Sequence, residues 1–162
     1  MGDQRFRLKP VPKRQHLLFN MLNFLYFRRS DYSRGFSLES SPLFMFIIVP
    51  YVLFSEIYFF GQKRYFVTIE KQIVSVLALE NRTNVLYISN LAVSPFYRRM
   101  GMATYLLGFA VGLARQHDKN ALELSVNKAN TPALRLYAKQ GFRKEGERYS
   151  SYVLRKDVKG AS

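Results

Sequence analysis

The chain has no cysteine, only two histidines and only 11 acidic residues among 162. Without cysteine there is no disulfide scaffold, no thiolate-ligated zinc or iron–sulfur centre and no cysteine nucleophile. His16 and His117 have no second imidazole at ligand spacing, which argues against a dedicated transition-metal site. Long hydrophobic runs are also missing. The longest uninterrupted apolar stretch, Leu43 to Phe54, has 12 residues, short of the ~20 that a bilayer-spanning helix needs. Neither a GxxxxGKS/T phosphate loop nor a GxGxxG dinucleotide fingerprint occurs.

What remains is basic and apolar. The 25 Lys and Arg outweigh the acids to give +14, which points to an anionic partner. Apolar residues make up 48% and aromatics 15%, enough burial to exclude a disordered basic tail. The N-terminal run of Arg5, Arg7, Lys9, Lys13 and Arg14 before Leu17–Phe27 resembles a signal peptide only superficially. Asn20 and Asn23 interrupt the apolar stretch, and Arg28-Arg29 stands where small residues would permit cleavage. The spacing of Leu17, Leu18, Met21, Leu22, Leu25 and Tyr26 instead predicts one buried helical stripe. Gly2 lacks the Ser or Thr that myristoylation wants downstream, because Phe6 is there. These features suit a cytoplasmic protein, with membrane contact and nucleic-acid binding both disfavoured.

Residues 28–42 read as a polar connection, and Leu43–Phe60 as a core helix kinked at Pro50, with peripheral membrane contact or an apolar homodimer face as the alternatives. From Gly61 the pattern becomes strands: Tyr65–Glu70, Ile73–Glu80 and Val85–Val93, with a turn at 81–84. Ala103–Gln116 reads as a helix and Ala121–Val126 as a strand. Asn130–Gln140 reads as a helix capped by Asn130, with Pro132 in its first turn and Gly141 ending it. Phe142–Glu147 and Ser151–Lys156 close as an antiparallel pair. The order is strand, two helices, three strands, helix, strand, helix, two strands. It predicts an α/β (α+β) domain over 1–156 with one mixed seven-stranded sheet flanked by about four helices, and a flexible tail over 157–162.

The informative loop is Val93 to Thr104, VSPFYRRMGMAT, which leads directly into a helix. Unpaired amides and the dipole at a helix N-terminus favour an anion. Gly101 lets main chain come close, Ala103 is nearly as small, and Arg98 and Arg99 add charge suited to a phosphate. Phe96 and Tyr97 are expected to pack. The loop reads as a phosphate or pyrophosphate cradle.

Arg98-x-x-Gly101-x-Ala103 resembles the Q/R-x-x-G-x-G/A acetyl-CoA motif of the GNAT N-acetyltransferase superfamily. The likeness extends through LAVSPFYRRMGMATYLL, LELSV and NTPALRLYAKQGF, and covers about residues 65–156. It implies a GNAT-like fold splayed between the fourth and fifth strands. It implies acetyl-CoA as co-substrate, with no metal, and a primary-amine acceptor, either a small molecule or a protein N-terminus. Leu91, Ala92 and Val93 would meet the pantetheine arm through main-chain groups. The amides of Arg99, Met100, Gly101, Met102, Ala103 and Thr104, with Arg98 and Arg99 nearby, would hold the pyrophosphate. Asn130 would contact the cofactor arm, and Tyr137 would give a proton to the departing thiolate.

The chain departs from the family over the base. Carboxylates that many members carry correspond here to Tyr87 and Ser125. Glu123, on the same strand face as Ser125, and Glu80 are the substitutes at hand, with a water relay as the other route. The missing carboxylates also leave open a CoA-binding domain that does not turn over. A site without a strong base suits a weakly basic amine: α-amines and lysine side chains differ by about 2.6 pKa units, a roughly 400-fold difference in neutral fraction. The expected outcome of an acceptor panel at neutral pH is faster acetylation of α-amines than of lysine side chains. Equal rates would remove that preference.

Overall fold

The computed structural model describes residues 7–28, Pro50, 61–70 and 72–158, with side chains of the first helix described through Leu22. The elements are β1 (Arg7–Pro10), α1 (His16–Arg28), β2 (Lys63–Ile69), β3 (Gln72–Asn81), β4 (Val85–Val93), α2 (Met102–Gln116), β5 (Ala121–Asn127), α3 (Thr131–Lys139), β6 (Arg143–Arg148) and β7 (Ser151–Asp157). They form one mixed seven-stranded sheet in the order β1-β2-β3-β4-β5-β7-β6. The described helices number three. Of the connection expected over 28–42 only Arg28 is described, at the end of α1, and of the helix expected over 43–60 only Pro50, which is helical and exposed; the rest lies outside the described residues. Asp157 is the last residue of β7 and is exposed, whereas Val158 after it is buried, its amide donating to Asn120 O at 2.9 Å.

The chain divides into two compact units, one of Met1–Val76 with Ala92–Arg98 and the other of Leu77–Leu91 with Arg99–Ser162. In the first, β1 runs antiparallel to β2, from Arg7↔Thr68 to Pro10↔Tyr65. Phe19 of α1 meets Phe66 with ring centroids 6.0 Å apart. In the second, β4 and β5 are parallel neighbours, and β5 continues antiparallel to β7, which pairs with β6. Residues 74–79 of β3 are all buried, as expected of a central strand covered on both faces. Along β5 the buried positions alternate at Leu122, Leu124 and Val126, and α2 buries Met102, Leu106, Leu107, Ala110 and Ala114 as one stripe.

Two irregularities in β4 prepare the site. Its parallel ladder with β5 runs from Val85↔Ala121 only to Ile88↔Leu124, whereas β4 continues to Val93 and β5 to Asn127. The strands therefore part over their C-terminal ends, as the splay expected between the fourth and fifth strands requires. The second irregularity is one of register. Arg82 N–H donates to Val85 O at 3.1 Å at the β3–β4 turn, and Ser94 N–H donates to Val74 O at 2.9 Å at the far end. From the first bond to the second, β4 advances one residue more than β3. It thus carries a β-bulge, which re-aims the main chain beyond it.

Candidate active site

Tyr137 is placed by the way α3 begins and ends. Asn130 caps the helix, its side-chain oxygen accepting from Ala133 N–H at 3.3 Å, and Pro132 sits in the first turn. The preceding loop is fixed by the Lys128 amide on Ser150 O at 2.8 Å and by the Lys128 ammonium on Glu147 at 2.6 Å. At the other end Gly141 adopts φ +82°, the left-handed conformation that glycine tolerates best. Phe142 N–H then reaches Tyr137 O at 3.0 Å and Gly141 N–H reaches Ala138 O at 3.0 Å, the paired bonds of a Schellman closure. Such a closure brings the residue after the glycine against the third-from-last helical residue. Here that pair is Phe142 and Tyr137, edge to face with centroids 5.6 Å apart. The Y-x-x-x-G-F spacing is thus a device for holding a tyrosine ring still.

The Tyr137 side chain is 8% exposed, and burial pushes its hydroxyl up to about 12. Among the described residues nothing hydrogen-bonds that hydroxyl, although buried phenols usually find a partner. It is therefore a protonated donor with no acceptor among the described residues. Asn130 is similar: its oxygen is used by the cap, while its amide N–H₂ has no partner among the described residues.

The loop read as an anion cradle leads directly into α2. Pro95–Tyr97 is a 3-10 turn, closed by Tyr97 N–H on Ser94 O at 2.9 Å, and Tyr97 is held by its hydroxyl on Gln72 at 2.9 Å. Phe96 does not pack as expected. It is 79% exposed, because the short turn turns it outward. Arg99 at φ +64° and Gly101 at φ +79° then bend the chain into α2. No side chain caps α2, and no acidic residue sits in its first turn. The first bond into the helix is Tyr105 N–H on Gly101 O at 2.9 Å, so the amides before it have no helical acceptor. A Cβ on Gly101 would meet nothing within 4 Å. Glycine is thus required by its backbone angle, and the space above it is open. The sequence reading gave only the steric reason.

The structure brings Leu91, Arg99 to Thr104, Glu123, Asn130 and Tyr137 into the second unit and puts Ala92, Val93 and Arg98 in the first. Arg98 turns back on its own loop, its Nε donating to Val93 O at 3.2 Å. Ala92 is buried and its carbonyl accepts from Ser75 Oγ at 2.7 Å. The sequence reading missed that serine. Its signal was a lone hydroxyl inside the apolar run of β3.

Neither substitute carboxylate is idle. Glu80 grips Arg82 through two bonds, at 2.8 and 3.3 Å, and the Arg82 guanidinium stacks 3.7 Å from the Tyr87 ring centroid. Glu123 faces Tyr87 on one side and Arg155 on the other, with Arg155 Nη1 donating to its Oε1 at 3.1 Å. Arg155 also binds Asp157 at 3.2 Å and lies 3.5 Å from Glu145; these acids, Asp157 first, hold its guanidinium above the usual value. Among the described residues there is no cluster of His, Asp and Glu able to hold a metal.

Comparison with known proteins followed from this geometry. The sequence model of the Acetyltransferase (GNAT) family matches residues 29–142. The chain is 39% identical over 64 residues to the Arabidopsis thaliana protein GCN5-related N-acetyltransferase 4, chloroplastic, covering 40% of this chain and 22% of that one. It is 37% identical over 66 residues to a Bacillus subtilis protein named "Putative ribosomal protein bS18-alanine N-acetyltransferase", covering 41% and 44%. It therefore spans less than half the length of these curated relatives. Its fold is similar to the crystal structure of the PaiA N-acetyltransferase of Thermoplasma acidophilum in complex with coenzyme A, with TM-score 0.75 and 16% identity over 94% of this chain and 98% of that one.

The closure of α3 makes a prediction. Gly141→Ala forces a Cβ into the left-handed region and should cost about 1–2 kcal/mol in a denaturant titration. A fall in the unfolding midpoint together with altered tyrosine fluorescence is the expected result, and an unchanged midpoint would contradict it.

Proposed function

The chain belongs to the GNAT acetyltransferase family, and on that premise we propose that it transfers an acetyl group from acetyl-CoA to a primary amine by direct attack, preferring the α-amine of a protein or small molecule. The observation that carries this reading is the protonated hydroxyl of the buried Tyr137, with no hydrogen-bond partner among the described residues, in the same unit as an uncapped helix N-terminus. Both features fit a nucleotide thioester: one takes its phosphates, the other its sulfur. The amides of Arg99 through Thr104 would hold the pyrophosphate, with the exposed Arg99 side chain adding charge. Leu91, and Ala92 and Val93 beyond it on the same strand, would offer main chain to the pantetheine arm as an added strand does. The free amide N–H₂ of Asn130 would donate to that arm.

When bound, acetyl-CoA supplies an activated acyl carbon. The acceptor nitrogen bonds to that carbon, the carbon–sulfur bond breaks, and Tyr137 gives its hydroxyl proton to the leaving sulfur. Solvent reprotonates Tyr137, and the proton lost by the amine leaves through water. A phenol near pKa 12 is a reluctant acid, so Tyr137 contributes through position, donating as charge develops on sulfur. Glu123 is assigned a clamping role in place of a base, since Arg155 occupies one of its oxygens. The preference for an α-amine agrees with the similarity to the Bacillus protein named as a bS18-alanine N-acetyltransferase.

The test is thiol release from acetyl-CoA with an α-amine acceptor. Tyr137→Phe should lower kcat by about 10²-fold while leaving CoA binding near normal. Wild-type turnover in that variant would remove the proton-donor assignment. Cofactor-dependent thermal stabilisation without thiol release from any acceptor would identify a binding domain instead. Because the folded hydroxyl loses its proton only near pH 12, kcat/KM should rise as the amine deprotonates and show no decline due to Tyr137 below about pH 10. Glu123→Gln is expected to keep kcat within about threefold; a loss of 10² or more would make it the base.

A further inference from the structure

The first unit carries a basic surface to which the site described above assigns no residue. From Arg7 to Leu22 the exposed residues are Arg7, Lys9, Pro10, Pro12, Lys13, Arg14, Leu17 and Met21. Four are cations, two are prolines, two are large aliphatic side chains and none is acidic. Among the described residues none of the four cationic side chains has a hydrogen-bond or ion-pair partner. Arg7 and Lys9 alternate along the edge strand β1, so they share a face. Lys13 and Arg14 form the 3-10 turn that leads into α1.

Over its described side chains α1 does not form the buried stripe that its spacing predicts, since Leu17 and Met21 face outward. A surface helix normally turns apolar side chains inward and polar ones outward. Here Asn20 is fully buried beside Phe19, while Leu17 is 52% and Met21 42% exposed. Leu17 and Met21 are four residues apart and therefore adjacent on one side of the helix. Exposed aliphatic side chains directly after a run of unpaired cations suit a partner that is anionic at its surface and apolar just beneath.

We propose that β1, the turn at 13–15 and the outward side of α1 dock this protein on an anionic lipid surface, with Arg7, Lys9, Lys13 and Arg14 at the headgroups and Leu17 and Met21 in the acyl boundary. A nucleic acid would match the charge, but it rewards planar or hydrogen-bonding side chains, which positions 17 and 21 lack. A lipid interface rewards both features together. Among the described residues no helix is long and apolar enough to cross a membrane, so the contact lies on the surface. The inference is independent of the acetyl-transfer reading.

The test is sedimentation of the full chain with phosphatidylcholine vesicles, with and without about one third phosphatidylglycerol. Binding is expected only to the anionic vesicles and should weaken as salt is raised. Each cation near the surface is worth about fivefold in affinity, so Lys13→Ala with Arg14→Ala should lose roughly thirtyfold. Leu17→Gln with Met21→Gln should lose several-fold and leave the salt dependence in place. The melting midpoint of each variant confirms folding. Absence of binding, equal binding to neutral vesicles, or wild-type binding by the charge variant would overturn the proposal. So would displacement of the protein from vesicles by single-stranded RNA through the same four cations.

Discussion

The backbone of β4 sets the terms for the rest of the molecule. A strand inside a sheet must satisfy hydrogen-bonding groups along both edges, and unpaired buried groups are costly. β4 meets that requirement against β5 for only four residue pairs, after which the two parallel strands separate. Nothing in the local sequence is unsuited to continued pairing. The separation leaves one edge of a strand available at the end where helices α2 and α3 begin. In an open parallel arrangement this is where ligands collect, because helix N-termini and strand C-termini converge there. An extended ligand arm can then complete the edge that β5 abandons.

Much of this architecture was legible in the sequence because it rests on local chemistry. The strands from β2 to β7 emerge from alternation and turn residues, and α3 from Asn130, Pro132 and Gly141, each acting within a few positions. The cradle before α2 was legible for the same reason. Features that depend on partners distant in sequence were not. The bulge in β4 appears only when its register against β3 is known. Arg98 bonds its own loop at Val93, a choice of rotamer that charge alone does not specify. Glu123 reads as a spare carboxylate until the β5–β7 register sets Arg155 opposite it. Phe96 illustrates the converse: an aromatic side chain suggests burial, but a three-residue turn after proline dictates where it points.

The surplus of positive charge acquires two separate meanings. Before α2, unbonded backbone amides and a helix dipole favour an anion on their own, and the exposed Arg99 adds to them. Among the described residues, the side chains of Arg7, Lys9, Lys13 and Arg14 have no hydrogen-bond or ion-pair partner. Charge that is paired, as in Arg82 with Glu80 or Arg155 with Asp157, stabilises the sheet and says little about partners. Only unpaired charge in a defined place discriminates between partners.

The Schellman closure that holds Tyr137 has an evolutionary implication. Its bonds and ring contact lie within residues 137 to 142, so the tyrosine is oriented by a six-residue cassette instead of a distributed core. A cassette of that kind can be inherited intact while the surrounding sequence drifts. Residues elsewhere in the chain can then change without disturbing how the Tyr137 ring is held.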